Sequence, residues 1–228
     1  MTLAVDTAAG SGGNTNSSPL TMTFTTAAAN EVLSTTFCID DGGADTITSV
    51  TSTTLGTWTQ RSKKATADGT IYEYVKLASS PVTSEVLAIV YSAATSFCTG
   101  GMFAVSGADT STFFDSGGAS NVPTTVGFNT DALITTNNAN TICYAGYRLQ
   151  AGGGAPGAGF TDPTNGNAGF AFLIESKIVS VAQTNLDMTI GGTGGTNILG
   201  IGDAIKQASA AGASTPSTSG NLSLMGVG

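Results

Sequence analysis

Residues 96–115 read SFCTGGMFAVSGADTSTFFD, and this stretch decides the fold class. Phe97, Phe103 and Val105 alternate onto one face of an extended strand. Cys98, Met102 and Ala104 make the other face apolar as well. A strand apolar on both faces belongs in a sheet covered on both sides. The run breaks at Gly107-Ala108-Asp109, and Phe113 and Phe114 are then expected to lie back across the sheet edge ahead of Asp115. A buried strand feeding a loop pinned by aromatics fits the middle of a β-sandwich.

Working outward, residues 86–91 precede it and are again apolar on both faces, which suggests a covering partner or loop. Residues 20–24 alternate apolar and polar with period two, and residues 31–40 place Leu33, Phe37 and Ile39 on one face. Residues 58–64 and 70–77 form a hairpin around Asp68-Gly69. Glu73 shares a face there with Ile71 and Val75, a conflict unless Tyr72 and Tyr74 take the inward face. Further strands are predicted at 124–128, 132–135, 141–149, 169–180, 186–190 and 197–206. Helical periodicity is missing throughout. Roughly ten or more short strands at such spacing predict an all-β, antiparallel β-sandwich of jelly-roll type. The pattern never resets at a linker and shows no self-repeat of fixed period, so residues 1–206 read as one domain. Residues 207–228 read as a flexible Ala/Ser/Gly/Thr arm ending in an apolar tag, Leu222, Leu224, Met225 and Val227.

Composition narrows the function classes. Of 228 residues, 40% are hydrophobic and 31 are Gly, which suits many short strands joined by turns. Charged residues make up only 10%, with a net charge of −8. That surface repels phosphate backbones and argues against nucleic acid as a partner. A weakly charged surface rich in hydroxyls costs little to desolvate, which favours packing against other proteins or an exposed outer layer that resists denaturation; a secreted β domain fits the same composition equally. There is no His, so the usual base of Ser and Cys hydrolases and the commonest zinc ligand are both missing. Cys38, Cys98 and Cys143 fall on separate strands without metal-ligand spacing, and read as buried thiols or as one disulfide with a spare thiol. The start of the chain has no basic, apolar leader, and no apolar window approaches the ~18 residues that span a bilayer. The expectation is therefore a protein made and assembled in the cytoplasm, with no membrane partner.

Candidate chemistry is sparse. The acidic turn Asp40-Asp41-Gly42-Gly43-Ala44-Asp45 lacks the spacing and distal Glu of a calcium loop and reads as a solvated turn. The glycines at 191–195 precede no helix and read as a turn, not a phosphate cradle. Paired carboxylates could make a glycosidase, yet Glu31, Glu73, Glu85 and Glu175 lie on separate strands. Trp58 reads as core, or, if exposed, as a platform for a sugar ring. Arg61, Lys63 and Lys64 concentrate positive charge at one strand end and read as a rim of salt bridges. No catalytic residue, cofactor site or metal site is assigned.

Four motifs recur in an order that resembles one group of β-sandwich modules. They are Leu3-Ala4-Val5-Asp6; Ile47-Thr48-Ser49-Val50 with Gly56-Thr57-Trp58-Thr59; residues 71–77; and residues 103–109 with Phe114-Asp115. Together they resemble the Thr/Gly-rich sandwich modules of tailed-phage virion proteins, also found in bacterial surface proteins. Phe113 stands where those modules usually have Pro. The resemblance implies a structural or adhesive role and brings no catalytic residue. Without fibre shafts, the chain fits a capsid decoration (cement) protein, a homotrimer on the outer virion surface that contacts the major capsid protein. Its assembly contacts are expected at Leu222, Leu224, Met225 and Val227. The alternative is a receptor- or carbohydrate-binding module of a tail or cell surface.

Overall fold

The computed structural model describes residues 2–40, 46–92, 97–116, 121–150, 154–164, 171–192 and 197–209. All of its regular structure is antiparallel β. The first half contributes β1 (Ala4–Thr15), β2 (Leu20–Phe24), β3 (Glu31–Asp40), β4 (Ile47–Ser52), β5 (Gly56–Thr57), β6 (Thr59–Thr66), β7 (Gly69–Ala78), β8 (Glu85–Tyr91) and β9 (Phe97–Ser106). They build a five-stranded sheet in the order β1-β9-β3-β7-β6 and a four-stranded sheet in the order β2-β8-β4-β5. Period-two alternation aims Leu20, Met22 and Phe24 of β2 inward, leaving Thr21 and Thr23 outside. They meet Leu33, Phe37, Trp58, Tyr72 and Met102 in the core between these sheets.

The second half contributes β10 (Thr124–Val126), β11 (Ala132–Ile134), β12 (Thr141–Leu149), β13 (Gly154–Pro156), β14 (Phe172–Val179), β15 (Leu186–Met188), β16 (Ile190–Gly192) and β17 (Asn197–Lys206). Its four-stranded sheet runs β10-β17-β12-β14, and the ribbons β11-β15 and β13-β16 cover one face of it. The larger sheets of the two halves pack face to face. Cys38, Ile71, Phe103 and Val105 from one meet Ile142, Tyr144, Ile174 and Ile201 from the other. The strands of residues 4–206 thus form two sandwiches joined through a shared central core.

This layering explains why β3 and β9 are buried along nearly their whole length. Phe103 and Val105 enter the central core, and Cys98, Met102 and Ala104 the first one. It also resolves the conflict at Glu73. Both faces of β7 are interior: Tyr72 and Tyr74 stack on Phe37 at 5.4 and 5.8 Å, while Ile71 and Glu73 face the second half.

Two expectations change. β8 is an outer-sheet strand whose Val86, Ala88 and Val90 face outward and are partly or fully exposed. The aromatic pair does reach the sheet edge, where Arg61 of the edge strand β6 lies over the Phe114 ring, but the segment that carries it pairs outside that sheet. Phe114 pairs with Ile205, and Lys206 N–H donates to Phe113 O at 2.9 Å, so this segment opens the second half beside β17.

Candidate functional site

The seam between the halves holds a group of polar side chains that strand alternation cannot explain. Glu73 of β7 and Asp203 of β17 are both fully buried there. Tyr144 of β12 donates its hydroxyl to Glu73 Oε1 at 2.5 Å. Arg61 of the edge strand β6 reaches over, and its Nε donates to Asp203 Oδ2 at 2.9 Å. Ser116 also donates to Asp203. Burial, and then the charge of Asp203, raise the Glu73 carboxyl well above the usual carboxylate range. While Glu73 holds its proton, the Arg61–Asp203 ion pair leaves the seam electrically balanced, the condition for burying such groups at tolerable cost.

Arg61 leads from this interior to the surface. Its guanidinium carbon lies 3.9 Å from the Phe114 ring centroid, and Nη2 donates to Asn121 O at 2.8 Å. Phe113 and Phe114 are tilted against each other at 4.6 Å. With Gln60, Lys76 and Leu77 they border an open groove of about 550 Å³. The groove presents two rings, the Arg61 guanidinium, the Lys76 amine and the Gln60 amide; the carboxylates Glu73 and Asp203 behind it are sealed. A reaction at Glu73 or Asp203 would require the sheets to part.

Other carboxyls are spent on backbone and partner strands. Asp6 and Glu31 form a hydrogen-bonded pair; burial first, then the charge and hydrogen bond of Asp6, push Glu31 up to about 7. Glu175, also fully buried, is pushed up to about 7 by burial and accepts from Gly157 N–H at 2.9 Å. It projects away from the seam that holds Glu73, on the neighbouring residue parity of β14 to Ile174. Glu85 is also buried, yet the N–H groups of Thr54 and Leu55 and the Thr54 hydroxyl hold its carboxyl low. Asp40 pairs with Arg148, Oδ2 to Nη2 at 2.5 Å, tying β3 to β12.

Trp58 is core: 3% exposed, with its indole N–H donating to Ser52 Oγ at 3.0 Å. All three cysteines are buried thiols without disulfides. Of the expected basic rim, Arg61 makes an ion pair, and Lys63 lies over the Tyr72 ring at 5.7 Å. Among the described residues, no three His, Cys, Asp or Glu side chains are grouped to hold a metal ion. The rest of the acidic turn, residues 41–45, and Leu222, Leu224, Met225 and Val227 lie outside the described residues.

Sequence reading flagged Glu73 and Arg61 but missed Tyr144, Asp203 and Asp6. The available signal for Asp6 was its place at the close of the apolar run Leu3-Ala4-Val5-Asp6, and for Asp203 its place as the one charged residue within the apolar run of residues 198–205. Comparison of the chain with protein families, curated proteins and solved structures finds no match.

Proposed function

We propose that the protein is a structural component of a tailed-phage virion: a capsid decoration protein, trimeric, that stabilises the shell through protein–protein contacts. The reading rests on the strand order. Leaving aside the edge strand β6, the first half numbers its strands one to eight, and its sheets run 1-8-3-6 and 2-7-4-5. We read that order as a jelly roll, an architecture that viral capsid and lectin domains use. The charge-poor surface and the motif resemblance add to it. The lectin-like alternative called for an exposed aromatic platform at Trp58, and the burial of that ring takes its marker away.

Heads of the encoding phage, stripped of the protein, test the reading directly. Purified protein should rebind them saturably and raise their resistance to heat. Removing residues 210–228, which carry the apolar tag, should leave the fold intact and weaken rebinding. Failure to bind heads, together with dose-dependent binding to a glycan array, would reverse the choice between the two readings.

A further inference from the structure

The two larger sheets agree in register as well as in strand order. In the first half Val32, Leu33 and Thr36 of β3 face Val105, Ala104 and Gly101 of β9. In the second, Ile142, Cys143 and Gly146 of β12 face Ile205, Ala204 and Ile201 of β17. A shift of 110 residues along β3 and β12 and one of 100 along β9 and β17 carry every pair of the first set onto the second, and the shift of 110 also carries residues 25–30 onto residues 135–140. The next strand follows suit: Thr36 faces Glu73, and Gly146 faces Ile174. So does the first: Ser11 and Gly13 face Met102 and Gly100, and Thr124 and Val126 face Gly202 and Gly200.

The turns repeat in chemistry. Thr-Thr-x-x-Ala-Asn occupies both residues 25–30 and residues 135–140. Thr26 N–H donates to Val82 O at 2.9 Å, and its hydroxyl accepts from Val82 N–H at 2.9 Å. Thr136 and Gln183 make the same pair of bonds at 3.0 and 2.9 Å. The Thr25 and Thr135 hydroxyls accept from Ser84 and Asn185 N–H at 3.0 and 3.1 Å. Asn30 and Asn140 both turn left-handed, with φ of 59° and 52°, as do Ser84 and Asn185, with 51° and 53°. A buried Asp braces each turn: Asp6 accepts from Ala27 N–H at 2.6 Å, and Asp115 from Asn137 and Asn138 N–H at 3.3 and 2.9 Å. Unrelated sandwiches would not share register, left-handed positions and side-chain bonds at once.

The halves also meet in a particular way. β3 lies over its own counterpart β12, while β7 lies over β17 and β9 over β14. Exchange of this kind is what a two-fold rotation produces, with self-equivalent elements on the axis. Thr36 and its counterpart Gly146 touch there: a Cβ on Gly146 would lie 2.6 Å from Thr36 Cγ2, so only glycine permits the approach.

We infer that the chain is a fused dimer: two copies of one sandwich module that associate through their larger sheets, so that the partner this face fits is a second copy of the module. The inference goes beyond the virion reading and does not depend on it. The copies have since become complementary. Tyr144 stands where the first copy has Ser34, and Asp203 where it has Phe103, so Glu73–Tyr144 and Arg61–Asp203 cross the seam in one direction only.

A protease site inserted between Thr110 and Ser111, both exposed, tests this in the full chain. After cleavage the protein should keep the size of the uncut chain by light scattering. Separated in denaturant, each fragment should refold alone, with a β-sheet circular dichroism spectrum and a cooperative unfolding transition, and equimolar mixing should restore the pair. Gly146→Arg should weaken the pair by about 10–100-fold, the range expected of an overpacked contact. Thr36→Arg should do the same from the first fragment, which separates a broken seam from a folding defect in the second. Fragments that gain structure only when mixed would overturn the inference, because the halves would then be parts of one module. So would a pair that dissociates on cleavage, or one that neither substitution weakens.

Discussion

Trp58 lies edge-on to Phe24, with ring centroids 6.3 Å apart, and its indole nitrogen is satisfied by Ser52. Trp58→Ala removes a buried aromatic from a packed core and should cost about 3–5 kcal/mol in chemical denaturation. A loss below about 1 kcal/mol would mean that the ring contributes as a surface residue does. Glu31 is a subtler case, because the second half supplies its control. At the counterpart position the Thr141 hydroxyl donates to Asp115 Oδ2 at 3.3 Å. Glu31 can donate to Asp6 only while it carries a proton. Burial and Asp6 raise it from 4.5 to about 7, so its contribution is complete below about pH 4.5 and is lost as pH rises through 7. Glu31→Gln keeps a donor that does not titrate. The variant should therefore lose less stability than the parent between pH 5 and pH 8, measured as denaturation midpoints; equal losses would show that Glu31 is not the titrating group.

At the scale of elements, the paired turns give a prediction that neither would give alone. Thr26→Val and Thr136→Val each delete a hydroxyl that accepts a backbone N–H and leave that amide without its partner. Each should cost about 1–3 kcal/mol, and the two costs should agree closely because the environments match. Unequal costs, one large and one negligible, would mean that the two turns do not brace their sandwiches alike. These elements also show what the sequence could tell. β2, β3, β9, β12 and β17 were legible because alternation, or apolarity on both faces, follows from where a strand sits in a stack of sheets. The repetition was not. Its shared residues lie in turns rather than strands, and the spacing between counterparts changes from strand to strand as the connections differ in length, so no fixed period survives. Glu73 was legible only as a misfit. Its partners Tyr144 and Asp203 come from strands distant in sequence, and only the packing of one sheet on another brings them to it.

For the whole molecule, the buried carboxyls set how stability responds to pH. Glu31 and Glu175 are raised to about 7, and Glu73 is raised well above its ordinary range, burial being the largest cause in all three. In each, the folded state holds a proton that the unfolded chain releases near pH 4.5. Their stabilisation is thus whole below that pH; that of Glu31 and Glu175 is lost as pH rises through about 7, and that of Glu73 is lost above the ordinary carboxylate range. Glu73 adds a local consequence: ionising it puts a second anion beside Asp203, whose ion-pair partner is Arg61, so the seam should loosen once Glu73 loses its proton. The net charge of −8 pushes in the same direction, since an acidic chain repels itself more strongly at high pH. Salt separates the two causes, because it screens surface repulsion and barely reaches a sealed seam. The denaturation midpoint should fall from pH 5 to pH 8 at both low and high ionic strength, and Glu73→Gln should shrink the fall at either. If molar salt abolished the fall, surface charge alone would account for it, and the buried carboxyls would have to keep ordinary pKa values.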